Sequence, residues 1–331
     1  MRPSGAKSAA SHPAGPVARS LHSCYVSHLM HIPDGFLSAP VWGALDVVSL
    51  PAVVYMARRA QREVEESRVP LLGVMGAFVF AAQMINFPVG LGTSGHLVGG
   101  ALLAVTLGPA AATVVMTAIL AVQALVFQDG GLLALGANVF NMAIVGVAAA
   151  YLPYRFWGSG RWRKAGILAG SMLSVFVSAA LAITELILSG VPIRAPVLGV
   201  SLGLFFITAL LEGLITLAVV ESVTKINPGW IQAPASGNRP ALGVLSTAAA
   251  LLAAVGVLFA SAHPDGLEKL AETVGIAAQA KALMTSPLAD YEARFLGPAW
   301  LRKATAGLAG LALIFAVCVV LGRWIARQRS A

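Results

Sequence analysis

LVGGALLAVTLGPAAATVVMTAILAVQALVF, Leu97–Phe127, runs without a single charged residue. At about 1.5 Å per residue a continuous helix of this length would overrun the roughly 30 Å hydrocarbon core of a bilayer. Gly108-Pro109 interrupts it, because proline has no amide hydrogen for the preceding turn and crowds it. The run therefore divides into 97–108 and 109–128. The second piece is long enough to cross a membrane. The first reaches only about 18 Å and reads as a tilted or partly re-entrant helix, extended by the polar loop before it.

Working outward, further apolar segments fall at 41–57, 69–87, 132–154, 165–188, 196–224, 241–261 and 304–322. Nine segments in all predict an all-α polytopic membrane protein. Composition agrees. Of 331 residues, 58% are hydrophobic and 11% charged, where soluble domains carry about 25% charged residues. So few charges cannot cover a soluble surface, which excludes a cytosolic enzyme and a secreted disulfide scaffold. The net charge of +8 does not mark a nucleic-acid binder, because the excess Lys and Arg lie in loops between apolar runs. Cys24 and Cys318 are far apart, and Cys318 sits within an apolar run, so they give neither a disulfide framework nor a thiolate site.

The loops predict orientation. Arg58, Arg59, Arg62 and Arg68 follow the first segment; Arg155, Arg161, Arg163 and Lys164 the fifth; Lys225 and Arg239 the seventh; Arg323, Arg327 and Arg329 the ninth. With nine crossings these loops share one side. The short loops 88–96, 129–131 and 189–195 hold a single basic residue, Arg194. The positive-inside bias places the basic side in the cytoplasm. It puts the N-terminus and 262–303 outside and the C-terminus in the cytoplasm of a cell inner membrane. The expected domains are an extension 1–29, a seven-helix body 30–224, a linker 225–240 containing three prolines, and a two-helix module 241–331 around an outer loop. Within that loop the alanine-rich, charge-studded Glu268–Ala282 reads as a surface helix.

The chemistry points to histidine. His12, His22, His28, His31, His96 and His263 all fall on the expected outer side. Imidazole is the commonest metal ligand, although a loop histidine needs no partner to be tolerated. Two contexts stand out. Met30-His31-Ile32-Pro33-Asp34-Gly35-Phe36-Leu37 is a turn before the first segment, bent by Pro33 and Asp34-Gly35. Asn86–His96 carries three glycines and a proline, a loop whose backbone can approach something closely. Both lie at outer helix ends, where they can meet over one pocket.

MHIPDGFLSAPVW (30–42), QMINFPVGLGTSGHLVGGALLAVTLGP (83–109) and FQDGGLLALGANVFNM (127–142) resemble the signatures of the CbiM/NikM family, the substrate-capture subunits of energy-coupling-factor transporters for cobalt and nickel. The resemblance covers about 30–225. Pro264-Asp265-Gly266-Leu267-Glu268 resembles the PDGLE accessory component of such systems. The resemblance implies a metal held by the amine of Met30, the backbone nitrogen and ring of His31, and the ring of His96. It also implies a transmembrane coupling subunit and cytosolic ATPase subunits as partners, with Co(II) or Ni(II) as cargo, no tightly bound cofactor and no nucleic acid. Amine, deprotonated amide and imidazole can form fused chelate rings, and four nitrogens in a plane suit Ni(II) or Cu(II) and disfavour Mg and Ca. Gln83, Asn86, Ser94, Asn138 and Asn141 are candidates to order the pocket, with helix packing as their ordinary alternative.

Met30 has a free amine only when nothing precedes it. Met1–Leu29 is rich in Ser, Ala, Gly and Pro, lacks the apolar core of a secretory signal, and reads as unstructured. Three arrangements satisfy the ligand set: translation beginning at Met30, which is favoured; removal of the extension; or His28 replacing the amine.

Asp46, Glu185, Glu212 and Glu221 fall inside apolar segments. Intramembrane carboxylates are functional candidates, to steer cations or dock a neighbour, against a plain helix–helix hydrogen bond and, for Glu221, pairing with Lys225. Two other function classes compete. An autonomous metal carrier or channel would need an intramembrane ion path, for which Asp46 and Glu212 are thin support. An intramembrane serine protease would use the GxSG-like Gly92-Thr93-Ser94-Gly95, but no helix carries a histidine base and His96 lies too close to face back. No G-x-x-x-x-G-K-[ST] sequence occurs, so ATP hydrolysis belongs to partners.

Overall fold

The computed structural model describes residues 31–226, 239–256, 260–261 and 263–327. Met30, His28, the rest of the extension and nearly all of the linker lie outside the described residues. The chain folds as an all-α membrane bundle. The body comprises α1 (Ala39–Glu63), α2 (Val69–Gln83), α3 (Gly100–Leu107), α4 (Pro109–Val122), the segment Leu135–Trp157, α7 (Arg163–Leu188) and α8 (Ala195–Ile226). Leu135–Trp157 is one rod in three parts, α5 (Leu135–Asn138), a π-helical stretch Val139–Gly146 and α6 (Val147–Trp157). The module adds α9 (Arg239–Ala254), the short α10 (Gly266–Val274) and α11 (Ala299–Arg327). Among the described residues, six helices are long and apolar enough to cross a membrane.

The bundle is apolar on both sides. Phe80, Met116 and Ile119 are fully buried, while Val47, Leu50, Val200, Phe206 and Val320 stand exposed on helix flanks. In lipid the same chemistry serves inside and out, so helices associate by close packing. Cys318 and Ile314 of α11 lie over Gly76 of α2, and Phe80 and Phe127 lie over Gly310. The module is thus packed into the body's core through α2 rather than appended to it.

The segment 97–108 takes a form that apolarity alone could not show. Its helix, α3, spans only Gly100–Leu107 and every residue of it is buried. The chain approaches it through non-helical Leu97–Gly99. Irregular backbone at this depth needs partners from the protein, because lipid offers none. Glu212 of α8 supplies two, accepting from the amides of Val98 (2.7 Å) and Gly99 (2.9 Å). Gln83 of α2 donates to the Val98 carbonyl at 2.8 Å. Gly99 has φ +79°, and a Cβ there would lie 2.4 Å from Val79 Cγ1, so only glycine fits.

The other intramembrane carboxylates are partnered locally too. Asp46 accepts from the Gly136 amide (2.9 Å) and Glu185 from the Asn141 amide group (2.9 Å). Glu221 meets Arg163 and Lys164 of α7, each at 3.2 Å. These bonds are the packing alternative.

Between α2 and α3 the loop is a small antiparallel hairpin, β1 (Phe87–Gly90) and β2 (Thr93–Gly95), with Phe87 opposite Gly95. The segment expected as a surface helix over Glu268–Ala282 is shorter and half sunk. The α10 helix ends at Gly275, which is left-handed at φ +81°, and it buries Leu267, Leu270 and Ala271.

Candidate metal centre

His31 and His96 are brought together at one end of the bundle, here called the histidine end. Their ring centroids lie 6.3 Å apart at an interplanar angle of 43°. They are only 2% and 9% exposed. Both line one cavity, whose wall includes Asn138, Asn141, Ser178 and Asp265.

Each histidine is placed by its own loop. Asn138 pairs with Ile32 as a backbone strand would: its Oδ1 accepts from the Ile32 amide and its Nδ2 donates to the Ile32 carbonyl, both at 3.0 Å. Asp34 accepts from the amides of Leu132 (2.9 Å), Leu133 (2.8 Å) and Ala134 (3.1 Å), stitching the Pro33-Asp34-Gly35 turn onto the loop after α4. The two loops touch so closely that a Cβ on Gly131 would lie 2.2 Å from Asp34 Oδ1. His96 sits between the hairpin and the Leu97–Gly99 stretch that Glu212 and Gln83 hold. Its Nδ1 is 3.2 Å from the Leu97 carbonyl.

Sequence reading missed the carboxylates around this pair. Asp129 is buried with its Oδ1 3.1 Å from His31 Nδ1. Its Oδ2 accepts from the Tyr291 hydroxyl at 2.6 Å. Tyr291 in turn accepts from Gln123 Nε2 (3.1 Å), which also donates to Gln83 Oε1 (3.0 Å). A polar chain thus runs His31–Asp129–Tyr291–Gln123–Gln83–Val98, joining the two histidine loops through one tyrosine of the module. Gln123 opens the π-helical turn Gln123–Phe127 at the end of α4, a geometry frequent at functional sites. Burial raises the Asp129 carboxyl, but the adjoining His31 and the Tyr291 hydrogen bond outweigh it and hold Asp129 below the usual carboxylate range. Burial and the neighbouring Asp129 charge push the Tyr291 hydroxyl well above its ordinary value, so it remains a donor.

The module reaches the other histidine as well. The Ser94 amide donates to the Pro264 carbonyl (2.8 Å) and the Ser94 hydroxyl to the His263 carbonyl (2.7 Å), so Pro264-Asp265 lies along β2 like an added strand. Asp265 caps α10 by accepting from the Glu268 amide at 2.7 Å, and its other oxygen, Oδ2, stands 3.7 Å from His96 Nε2. Burial pushes the Asp265 carboxyl up to about 7, against the lowering pull of the Glu268 amide.

Of the expected pocket residues, Ser94, Asn138 and Asn141 line the cavity. Gln83 acts through Val98. The backbone of Asn86 accepts from the Ser261 amide at 2.8 Å, and its side chain is not part of the cavity wall. The Ser94 hydroxyl is engaged as a structural donor. Asp129 and Asp265 sit inside FQDGG and PDGLE, so their motifs were visible, but nothing in their spacing ties them to a histidine over a hundred residues away. Tyr291 had no sequence signal.

Among the described residues no three His, Cys, Asp or Glu side chains converge closely enough to hold an ion by themselves. His31 Nε2 is buried and has no hydrogen-bond partner among them. Fold and site together define a polytopic membrane protein with an imidazole-bearing pocket at one end of its bundle, roofed by its own C-terminal module.

The comparisons narrow that class. The family described as "CbiM: Cobalt uptake substrate-specific transmembrane region" matches residues 31–230, and the PDGLE domain matches 239–327. The fused nickel transport protein NikMN of Rhodobacter capsulatus is 30% identical over 87% of this chain and 95% of its own length. The cobalt transport protein CbiM of Kyrpidia tusciae is 34% identical over 61% of this chain and 86% of its own. A crystal structure of a truncated transition metal transporter superposes with a TM-score of 0.52 at 30% identity, covering 60% of this chain and 99% of that one. The chain belongs to the CbiM family of cobalt and nickel transport proteins, with a PDGLE domain fused behind the family's transmembrane region.

Proposed function

We propose that this chain is the metal-capture subunit of an ATP-driven, energy-coupling-factor-type uptake transporter for Co(II) or Ni(II). Residues 30–224 form the capture domain and 241–331 its accessory module. The carrying observation is the pair of buried imidazoles, His31 and His96, 6.3 Å apart in one cavity at the end of the bundle. In this reading the histidine end faces outward and the basic loops face the cytoplasm of the inner membrane, where a transmembrane coupling subunit and ATPase subunits supply the energy.

The ligand set is the Met30 amine, the His31 backbone nitrogen, the His31 ring and the His96 ring. A chelate between a histidine's own amide nitrogen and its ring closes through Nδ1, the nitrogen now 3.1 Å from Asp129 Oδ1. Loading therefore exchanges that contact for the metal and leaves the Asp129 charge beside the cationic site. Ligand nitrogens must lose protons to bind, so affinity falls as pH falls. Asp46 and Glu212, the two carboxylates that could have marked an ion path for an autonomous carrier, bond backbone amides instead.

The test is nickel and cobalt titration of the purified protein, with intact-mass spectrometry to fix its first residue. One ion per chain, lost in His31→Ala and in His96→Ala, is the expected result. Tight binding by a protein that keeps Met1–Leu29 overturns the amine and moves the assignment to His28. Binding unaffected by either histidine change overturns the site. Uptake into vesicles that requires the ATPase partners separates this reading from an autonomous carrier.

A further inference from the structure

We propose that Phe295 and Trp300 anchor the accessory module in the lipid interface at the histidine end of the bundle, with phospholipid as the partner of this surface. The proposal goes beyond the capture reading and does not depend on which groups hold the ion.

The depth comes from α11 itself. Ala304–Gly322 carries no charge, and Lys303 and Arg323 close it at either end. Along a straight helix those two cations stand about 30 Å apart, which is the thickness of the hydrocarbon core. Lys303 therefore marks one boundary of the core and Arg323 the other. Trp324 follows Arg323 and is half exposed, and Trp300 lies within a turn of Lys303 and is 59% exposed. Tryptophan concentrates at both membrane–water interfaces, where its ring is sheltered while its N–H stays wet. The α11 helix thus carries a tryptophan at each end of a bilayer-length apolar run.

Phe295 precedes the helix but is held at the level of its first turn. The Ala293 amide donates to the Arg302 carbonyl at 3.2 Å, and the Arg302 amide to the Pro298 carbonyl at 3.0 Å. The Arg302 guanidinium meets Glu292 at 3.7 Å. These bonds keep 292–298 against the start of α11. Phe295 is nevertheless 69% exposed, and Gly297, Pro298 and Ala299 between it and Trp300 are exposed as well. Two large rings on a small-residue tip are a poor surface for water and a good one for an interface that is apolar on one side. With Arg302 engaged by Glu292, Lys303 is the cation that extends toward lipid phosphate, as long basic side chains do at this depth.

The anchor bears on the pocket because the same loop carries Tyr291. Four residues before Phe295, Tyr291 donates to Asp129 at 2.6 Å, beside His31. One end of the loop is held in the pocket and the other in lipid, so the bilayer restrains the segment that brings the module's tyrosine to the histidine.

The experiment places the full chain, with Cys24→Ser, in nanodiscs of phosphatidylcholine and phosphatidylglycerol. Cys318 is buried and stays unlabelled. A nitroxide is attached in turn at Phe295→Cys, Trp300→Cys and, as a control on α10, Glu272→Cys. The spin label at 295 and 300 should relax more with oxygen, which concentrates in lipid, than with water-soluble chromium oxalate, and the label at 272 should do the reverse. In the unlabelled chain, Phe295→Ser with Trp300→Ser should speed hydrogen exchange over 286–298 about tenfold or more, the scale set by taking large apolar rings out of an apolar phase. Phe295→Leu with Trp300→Phe should restore the wild-type rate. Labels at 295 and 300 as open to chromium oxalate as the label at 272 overturn the proposal. So does unchanged exchange in the double serine variant, which would mean that the rings touch lipid without holding the loop. Neither readout uses a metal, so a failure here is distinct from a failure of the capture site.

Discussion

Tyr291→Phe removes one oxygen from the middle of the polar chain and leaves the ring. The ring keeps its place, stacked on Phe127 with centroids 4.8 Å apart and tilted 45° to Phe80 at 6.2 Å. Two hydrogen bonds are lost, the 2.6 Å bond to Asp129 and the 3.1 Å bond from Gln123. A bond to a charged group is worth about 1.5–3 kcal/mol and a neutral one about 0.5–1.5 kcal/mol. Both abandoned partners are buried, so water does not replace the hydroxyl, and a total of about 2–4 kcal/mol follows. The assay is equilibrium unfolding of the full chain in mixed micelles, with hydrogen exchange over 286–298 as a local readout. Gln123→Leu completes a double-mutant cycle, in which direct partners couple by about 0.5–3 kcal/mol. A Tyr291→Phe variant within about 0.5 kcal/mol of wild type, or strict additivity with Gln123→Leu, would refute the chain as an energetic unit.

Three further outcomes follow from the same geometry. Glu212→Ala strands the buried amides of Val98 and Gly99 at about 1–3 kcal/mol each; nickel titration should show weaker binding because His96 adjoins this stretch, while Glu212→Gln should retain part of it. Gly131→Ala drives a methyl against Asp34, an overpacking cost of about 1–3 kcal/mol that thermal unfolding should detect. Gly310→Leu forces a side chain against Phe80 and Phe127 and should loosen α11 from α2, seen as faster proteolysis of the module with the body still folded.

The helices were legible because their cause is local. An uncharged run such as Leu97–Phe127 has one way to satisfy its amides in lipid, and the break at Gly108-Pro109 is written in the covalent chemistry of proline. His31 and His96 were legible as a pair through the motifs around them. That 97–108 is too short to cross was legible too, but the unwinding of Leu97–Gly99 was not, because these residues are as apolar as their neighbours; they stay unwound only since Glu212, over a hundred residues later, answers their amides.

The surroundings of the histidines belong to tertiary structure for the same reason. The cost of burying a carboxylate falls only when donors arrive from elsewhere, and no local pattern records where they come from. Asp129 owes its position to His31 and to Tyr291 of the module, and Asp265 reaches His96 because Ser94 draws Pro264 onto β2. The sequence by itself determined a helical membrane protein with two motif-borne histidines. The packing of α11 on α2 and of the PDGLE segment on the hairpin decided what surrounds them, since side-chain convergence across a bundle depends on long-range contacts that hydropathy and spacing do not encode.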